Sequence, residues 1–529
     1  MSSVTMQHMG QYTYLYEATS YWDKNYQRTE NFKNSIGRID TATGETFYKQ
    51  QYIDKLKRKG KPTENMQVWI DGRLAKAKRG NLSFDNKMEL AQEILGTVKD
   101  YGVAYFLQSI AEKTGLLKTL ERAIPQCWEK IFVLACYLVA SDKPVMYCSD
   151  WTESNECLDA GSMSSQRISE LLAGFGYSDR CSFYELWYSH IRENEYLALD
   201  ITSVSSYSQN IDFMEWGYNR DGEKLPQVNV CMLFGEKSKF PVYQALYSGS
   251  LKDVSTLEAT LAEFSTLTGA RDIMLVMDKG FFSIKNTNML LRKKEDDCYK
   301  FLLPVAFTCN FAKDRIIDER DHIDGVDNVI LTSGAPVRGV HRFLKWGNAG
   351  VKLHTHVFFN PEKALKERNE LYDQVTRLKA KANIDPDDQK LQKEFMQYLL
   401  IDKPANIHEG ASVSIRKDAF EKELETTGWF VLVSNQIEDT QTAYDLYRAK
   451  DVVEKSFFQY KNRLGLNRFY VHTDDRMLNK AFVAFVALIL SSHIHNIMKE
   501  KQLYKHMSFD KLLIILSKLK AAYVKGAMY

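Results

Sequence analysis

The pattern of apolar and polar positions divides the first 194 residues into a strand-rich stretch and a helical stretch. Residues 1–82 alternate aromatic and polar side chains, as in residues 12–16 (YTYLY), and contain turn signals such as Thr43-Gly44. This pattern predicts two or three strands joined by basic loops. Residues 83–194 carry apolar side chains at three- and four-residue spacing, which predicts helices.

One of these predicted helices has two interpretations. It starts at Ser164-Ser165, residue types that commonly cap a helix N-terminus. It is either the second helix of a helix-turn-helix, which would place Gln166 and Arg167 in a DNA groove, or one member of a helical bundle. The bundle is the favoured reading.

Residues 195–305 have the clearest order of elements. The pattern predicts three strands (the last two forming a hairpin), a helix, a strand, a helix and a strand, at residues 196–204, 228–234, 240–247, 255–268, 272–278, 283–294 and 299–305. This order is typical of the ribonuclease H-like fold, an α/β fold with a mixed sheet whose first and fourth strands are neighbours. Asp200, in the first strand, and Asp278, at the end of the fourth, would then lie side by side.

The helix that closes such a core does not follow directly. Residues 306–443 intervene, with predicted strands at 329–359 and 428–434 and a charged helical stretch at 361–400 that is broken near Pro386. A structureless loop of this length is rare, so a β-rich and helical insertion subdomain is expected. Residues 444–470 then complete the core. Residues 471–529 are predicted to form C-terminal helices at 480–499 and 509–524, and the apolar run 481–490 is too short to span a bilayer.

The closing helix carries Tyr447, Lys450, Glu454 and Lys461. At about 100° per residue these four positions fall in a stripe roughly 60° wide, beside an apolar stripe. A carboxylate flanked by lysines suits a site that holds metal and phosphate together. The alternative is an ordinary amphipathic helix with a surface Lys450–Glu454 pair.

Asp200, Asp278 and Glu454 together form a candidate metal site. Three carboxylates suit hard divalent cations, and two Mg²⁺ ions can activate an attacking oxygen and stabilise the leaving oxygen of a phosphodiester. Asp200 would bridge the two ions, and each of the other acids would complete one of them. Taken singly, Asp200 could instead accept backbone amide hydrogen bonds, and Asp278 could be a turn or cap residue.

The neighbouring residues suit phosphate binding. Lys279 would lie beside the metals, and Ser283 would cap a helix whose N-terminus favours anions. Lys450 and Lys461 would hold the scissile and adjacent phosphates. Tyr447 would hydrogen-bond a phosphate or stack on a base.

Composition narrows the class of protein. Hydrophobic residues make up 44% and charged residues 26% of 529, with a net charge of +2, as in soluble globular proteins. Residues 21–80 carry 14 Lys or Arg against 7 Asp or Glu, a balance of +7 that includes residues 55–61 (KLKRKGK). Such a run suits DNA phosphates, or is a solvated loop. The eight cysteines form no CxxC pair, which predicts a reduced cytosolic protein without structural zinc.

Other motifs carry less weight. The pairs His354/His356 and His493/His495 have no third ligand at metal-site spacing, so both are interpreted as packing or surface residues. No glycine pattern for ATP or NAD is present, so no nucleotide cofactor is expected.

These residues resemble the DDE transposases of bacterial insertion sequences, in the group with a Tyr-x2-Arg-x3-Glu-x6-Lys signature. Tyr447, Glu454 and Lys461 match it, and the segments around Asp200 and Asp278 are similar to the first two acid motifs. Lys450 stands where the family has arginine, and Lys279 stands where the family commonly has arginine. Lysine does not reproduce the bidentate hydrogen bonding of arginine to phosphate. The resemblance extends from the helix at residue 163 to residue 490.

The resemblance implies Mg²⁺-dependent cut-and-paste transposition, with Mn²⁺ able to substitute. Its substrates would be double-stranded DNA, the terminal inverted repeats and the target, handled by a homodimer through a hairpin intermediate. In relatives an insertion like residues 306–443 helps hold the hairpin; there Trp346 is either a stacking residue or, as favoured, a core residue. A bacterial cytoplasmic, nucleoid-associated protein with no membrane partner is expected. The alternatives are a catalytically silent relative that binds terminal repeats as a repressor, and a nuclease that cuts without joining.

Overall fold

The computed structural model describes most of the chain. The described residues are 2–9, 12–23, 28–41, 43–68, 98–191, 196–208, 210–219, 222–270, 272–292, 298–307, 310–332, 334–347, 350–402, 412–524 and 527–528. Residues 69–97, which include the start of the predicted helical stretch 83–194, lie outside this range.

The described strands, in chain order, are β1 Ser2–Met9, β2 Tyr12–Asp23, β3 Arg28–Asp40, β4 Thr46–Tyr48, β5 Gln67–Val68, β6 Val98–Asp100, β7 Tyr196–Ser205, β8 Gln227–Gly235, β9 Pro241–Ser248, β10 Asp272–Met277, β11 Cys298–Pro304, β12 Val329–Ile330, β13 Val337–Trp346, β14 Val351–Phe359, β15 Leu399–Asp402, β16 Ser412–Ile415, β17 Trp429–Ser434, β18 Lys520–Val524 and β19 Ala527–Met528.

The described α-helices are α1 Gln50–Arg58, α2 Gly102–Lys113, α3 Leu116–Ala123, α4 Trp128–Ala140, α5 Cys148–Ser154, α6 Ser165–Leu171, α7 Tyr177–Ile191, α8 Asp253–Thr268, α9 Ile284–Leu291, α10 Asn310–Glu319, α11 Pro361–Ile384, α12 Gln392–Tyr398, α13 Lys417–Leu424, α14 Thr440–Ala449, α15 Asp451–Phe458, α16 Asp474–Glu500 and α17 Phe509–Leu516. Short 3-10 turns cover Val145–Tyr147, Lys279–Phe281, Val326–Asn328 and Leu503–Lys505, and Gln459–Arg463 is a π-helical turn.

The chain divides into two compact units, residues 1–98 with 522–529, and residues 99–521. In the first unit, β1 to β4 pair in an antiparallel meander and β5 joins β4 in parallel. The basic run at residues 55–61 is not confined to a loop as expected. It begins in the last turn of α1, where lysine and arginine interact favourably with the helix dipole.

The second unit is built on a nine-stranded sheet, in the order β12-β13-β14-β17-β11-β10-β7-β8-β9. The half from β11 to β9 is the predicted ribonuclease H-like core: β7 pairs antiparallel with β8 and parallel with β10, and β10 pairs in parallel with β11. From Leu197 onward β7 is buried throughout, as is typical of a strand in the interior of a sheet.

Four strands of the insertion, β12, β13, β14 and β17, belong to this same sheet, whereas β15 and β16 pair separately. β17 pairs antiparallel with β11, and β14 and β13 continue the sheet beyond β17. Its charged helical stretch forms α11 and α12, broken between residues 384 and 392 as expected, and these pack in a small separate cluster with Leu371, Val375 and Phe395. Part of the insertion is therefore a continuation of the core and part is a satellite.

The helical region before the sheet shares one hydrophobic core with the C-terminal helix α16. By length and composition α16 could cross a membrane, but residues 481–490 are fully buried in the protein, as expected of a core helix. In α6, Ser164 caps the N-terminus and Ile168 is buried in the common core, while Arg167 pairs with Glu170 within the helix. One side of α6 is therefore packed in the core, and Gln166 and Arg167 are exposed on the other.

Two helix predictions were wrong in extent. Residues 509–524 are not one helix: α17 ends at Leu516, and Lys520–Val524 is a strand. The closing helix is broken at Lys450 into α14 and α15, and its last part, Gln459–Arg463, is a π-helical turn. The periodicity of apolar residues does not reveal such breaks, because consecutive segments keep nearly the same direction of burial.

Asn479 is expected to be essential for the packing of α16 on the helical region. Its fully buried amide donates to the backbone oxygens of Leu172 (2.9 Å) and Phe175 (2.7 Å), and it accepts a hydrogen bond from Arg180. Asn479→Ala leaves these groups without that partner and should lower the free energy of unfolding by about 2–3 kcal/mol in urea titrations. The exposed Asn369→Ala in α11 serves as the control and should leave stability nearly unchanged.

Candidate active site

Two of the predicted acids lie side by side because β7 and β10 pair in parallel. The register aligns Leu199 with Met277, and Asp200 and Asp278 are the next residues. Asp200 is buried, and its carboxylate accepts a 2.8 Å hydrogen bond from the backbone N–H of Ile201. Asp278 holds the N-cap position of the 3-10 turn that follows β10, but its side chain does not cap that turn.

The third acid is presented by α15, which contacts β7. Val453 and Phe457 are buried, whereas the Glu454 side chain is 59% exposed at the edge of the packed face. In the π-helical turn that follows, the fully buried Tyr460 donates a 2.9 Å hydrogen bond to Gln244 of β9. Single π turns of this kind are frequent at functional sites, and this one anchors the acid-bearing helix to the sheet.

All three acids surround one lysine. Lys450, at the break between α14 and α15, is only 3% exposed. Its Nζ lies 3.1 Å from Glu454 Oε1 and 3.7 Å from Asp278 Oδ1. Burial alone would lower the pKa of Lys450, but the charges of Asp200, Asp278 and Glu454 outweigh burial and hold that pKa above its usual value. The buried ammonium is therefore ion-paired with Glu454 and Asp278, and the charge of Asp200 also acts on it.

Tyr447 lies at the same site. Its ring stacks on Phe430 of β17, 6.1 Å between centroids. Burial raises the pKa of its phenol, and the charges of Asp278 and Glu454 act in the same direction while Lys450 opposes them. The hydroxyl therefore stays protonated near the acids, where it can donate a hydrogen bond.

The remaining predicted residues differ in their surroundings. Lys279 is exposed directly after Asp278. Ser283 is the predicted N-cap of α9: its Oγ accepts a 3.0 Å hydrogen bond from the Asn286 backbone N–H. Lys461 lies in the π-helical turn. Hydrogen bonds from Arg468 and Ser205 are the main cause of the lowered pKa of Glu223, and the charge of Lys461 adds to this lowering.

The donor chemistry of the three acids fits a hard divalent cation, since carboxylate oxygens are the ligands that Mg²⁺ and Mn²⁺ prefer. Within the described part of the chain, however, no three Asp, Glu, His or Cys side chains are grouped as ligands of one ion. At the acid site the Lys450 ammonium lies within ion-pair distance of Glu454 and Asp278.

The insertion contains a histidine cluster that the sequence did not indicate. His341 of β13 lies opposite His356 of β14, and its Nε2 is 3.1 Å from Nδ1 of His354. A third imidazole therefore accompanies the His354/His356 pair, contrary to expectation. Burial lowers the pKa of His356 to about 4, so its ring is neutral and packs in the sheet. The cross-strand register, which brings His341 into place, could not be obtained from spacing along the chain.

The other aromatic residues that the sequence singled out also pack against neighbouring side chains. Trp346 is half-buried: it contacts Phe282 and Phe311 edge-on and donates a 2.8 Å hydrogen bond to Asn288 of α9. His493 stacks on Phe240, and His495 on Phe509, as the packing interpretation expected.

The predicted acids of the two strands and of the closing helix thus lie together on a ribonuclease H-like sheet. A model of the family described as "Transposase DDE domain" matches residues 192–490. Because this match covers more than half of 529 residues, the chain belongs to that family and is a DNA transposase by family. Members of the family generally use divalent metal ions.

No curated protein matches the chain. Among solved structures, a piggyBac transposase in a synaptic complex with hairpin DNA is similar, with 11% sequence identity and a TM-score of 0.36. The similarity covers 74% of this chain and 69% of that chain. A TM-score this low supports no conclusion about function.

The capping role of Ser283 can be tested separately from any contact with DNA. Ser283→Ala removes the acceptor for the Asn286 N–H and should lower the free energy of unfolding by about 1 kcal/mol. Ser283→Asn retains a capping side chain and should restore most of that loss in urea titrations. Equal stability of the alanine variant and the wild type would show that the cap contributes little.

Proposed function

We propose that this chain cleaves DNA at the ends of a transposable element and joins those ends to target DNA, with Asp200, Asp278 and Glu454 as its catalytic acids. The observation that carries the proposal is their convergence on the Lys450 ammonium. Each acid comes from a separate part of the chain, so the cluster is a product of the fold. An ordinary surface Lys450–Glu454 pair would not bring a buried strand aspartate into the same group.

In this proposal the three acids serve as ligands of two Mg²⁺ ions, for which Mn²⁺ could substitute. When bound, such ions would activate the attacking oxygen and stabilise the leaving oxygen of the phosphodiester. Asp200 is held on a buried strand and so provides a rigid ligand. Asp278 and Glu454 are more exposed, at 36% and 59% of their side chains, and lie where DNA could approach.

The surrounding residues would position the DNA. Lys279 is exposed beside Asp278 and could hold a phosphate. The Tyr447 hydroxyl, kept protonated, could donate to a phosphate oxygen near the acids. Lys461, two turns beyond Glu454, would hold a neighbouring phosphate.

The proposed order of steps follows the family. A water molecule nicks the transposon end, the freed 3′-OH attacks the opposite strand to give a hairpin, and the 3′-OH of the reopened end attacks target DNA. A homodimer would hold the two ends together. The position of the insertion supports a role in this process, because Trp346 contacts Phe282, four residues beyond Asp278.

Replacing the acids tests the proposal. Asp200→Asn, Asp278→Asn and Glu454→Gln should each reduce cleavage of DNA carrying the element's ends by roughly 1,000-fold or more, because each removes a metal ligand. Binding to the same DNA should persist. The measurement is a gel assay of nicks, hairpins and strand-transfer products with Mg²⁺, Mn²⁺ or EDTA.

The matched control is Asp451→Asn, which removes an exposed carboxylate of the same helix that pairs with Lys455. It should cleave like the wild type. Specific binding without cleavage by the wild type would favour a silent repressor, and cleavage without strand transfer would favour a nuclease. Cleavage that survives loss of all three acids would exclude this active site.

Lys461 provides a separate test of DNA contact. Lys461→Ala should weaken binding to cleaved ends and reduce the slope of log affinity against log salt by about 1, since one phosphate contact is lost. Lys461→Arg keeps the charge and should retain the slope. An unchanged slope in the alanine variant would place Lys461 outside the DNA interface.

A further inference from the structure

Lys450 has surroundings unlike those of a DNA-binding lysine. Its side chain is 4% exposed, whereas that of Lys455, on the next turn, is 62% exposed and pairs with Asp451 on the helix surface. The Lys450 ammonium points inward, to Glu454 and Asp278. To reach a phosphate it would first have to leave these carboxylates.

The charges explain why the ammonium remains there. An amine buried to this degree is strongly desolvated, which by itself favours the neutral form. Its ion pairs with Glu454 and Asp278 offset that cost and keep the ammonium in place. With the acids ionised, three negative charges and one positive charge leave a net charge of −2 in the cluster.

The type of residue also suits this role. An ammonium is a compact point charge with three donors, which can be shared among several carboxylates. A guanidinium is a planar fork that matches a carboxylate or phosphate with two parallel hydrogen bonds. The chain has lysine at the position where the signature that it resembles has arginine.

Lys450 also occupies a structural junction. It is the single residue between α14 and α15, and it is both the C-cap of α14 and the N-cap of α15. A movement of Lys450 would therefore act directly on the start of α15, the helix that presents Glu454.

We propose that Lys450 is the built-in cation of the acid site: its ammonium pairs with Asp278 and Glu454, beside Asp200, and must leave these acids before divalent cations bind. This inference rests on the proposed function, in which those acids are the metal ligands. Lys450 is thus a positioning residue that competes with the metal. The cost of displacing its ammonium weakens metal binding in the absence of DNA.

The first test is Mn²⁺ binding without DNA, measured by electron paramagnetic resonance of free Mn²⁺ for the full chain. Lys450→Met removes the competing charge and should tighten binding roughly tenfold or more, because a unit charge about 4 Å from a carboxylate interacts strongly with it. Lys450→Arg keeps the charge and should not tighten binding. The matched control, Lys455→Met, should bind Mn²⁺ like the wild type.

The second test uses the wild type, so that it does not depend on the folding of a variant. Reductive methylation followed by mass spectrometry should find Lys450 protected in EDTA and several-fold more reactive with Mn²⁺. Lys455 should react equally in both conditions. Equal protection of Lys450 with and without bound Mn²⁺ would overturn the displacement.

The outcomes separate this inference from the proposed function. Mn²⁺ binding that is lost in Asp278→Asn and Glu454→Gln but is equally tight in Lys450→Met and the wild type would overturn only the role of Lys450. Mn²⁺ binding that ignores the acids altogether would overturn the metal site itself. A phosphate-binding role alone would instead leave Mn²⁺ affinity unchanged and weaken DNA binding in Lys450→Met.

Discussion

The parallel pairing of β7 with β10 is the contact on which the acid site depends. Its register aligns Leu199 with Met277, and so brings Asp200 and Asp278 level. Because side chains alternate between the faces of a strand, a slip of one residue would turn one of these acids to the opposite face. On its other edge β7 pairs antiparallel with β8, continuously from residue 197 to 205. Both edges of the strand are therefore held by neighbouring strands. The relative position of Asp200 and Asp278 is therefore set by the register of the sheet.

Two neighbouring carboxylates repel one another, and a third adds to the cost, so the cluster requires a cation. Lys450 meets this requirement from the closing helix, which also supplies Glu454. That helix is held by buried Val453, Phe457 and Tyr460, and the Tyr460 hydroxyl ties it to β9. Charge balance and core packing thus place the same segment: the apolar face sets its position, and the lysine at its break neutralises part of the acid charge.

The order of strands and helices in residues 195–305 could be predicted from the sequence, because apolar runs bounded by turns and N-caps are local signals, as at Ser283. The insertion was also predictable as a mixture of strands and charged helices. That β17 pairs with β11 and so merges the insertion with the core sheet was not predictable, since strand pairing between distant segments leaves no mark on spacing. The cluster of His341 with His354 and His356 escaped detection for the same reason.

The sequence by itself indicated the candidate catalytic residues: two acids in apolar strands, and a glutamate between lysines at helical spacing. It also determined the class of fold, because apolar positions repeat every two residues in strands and every 3.6 residues in helices, and both repeats are local features of the sequence. Only the tertiary structure decided what Lys450 does. On a helix surface it would face solvent and phosphate, but the packing of α15 on β7 buries it among three carboxylates. Burial and charge partners are properties of the assembled fold, so they fix the role of a residue that spacing alone leaves open.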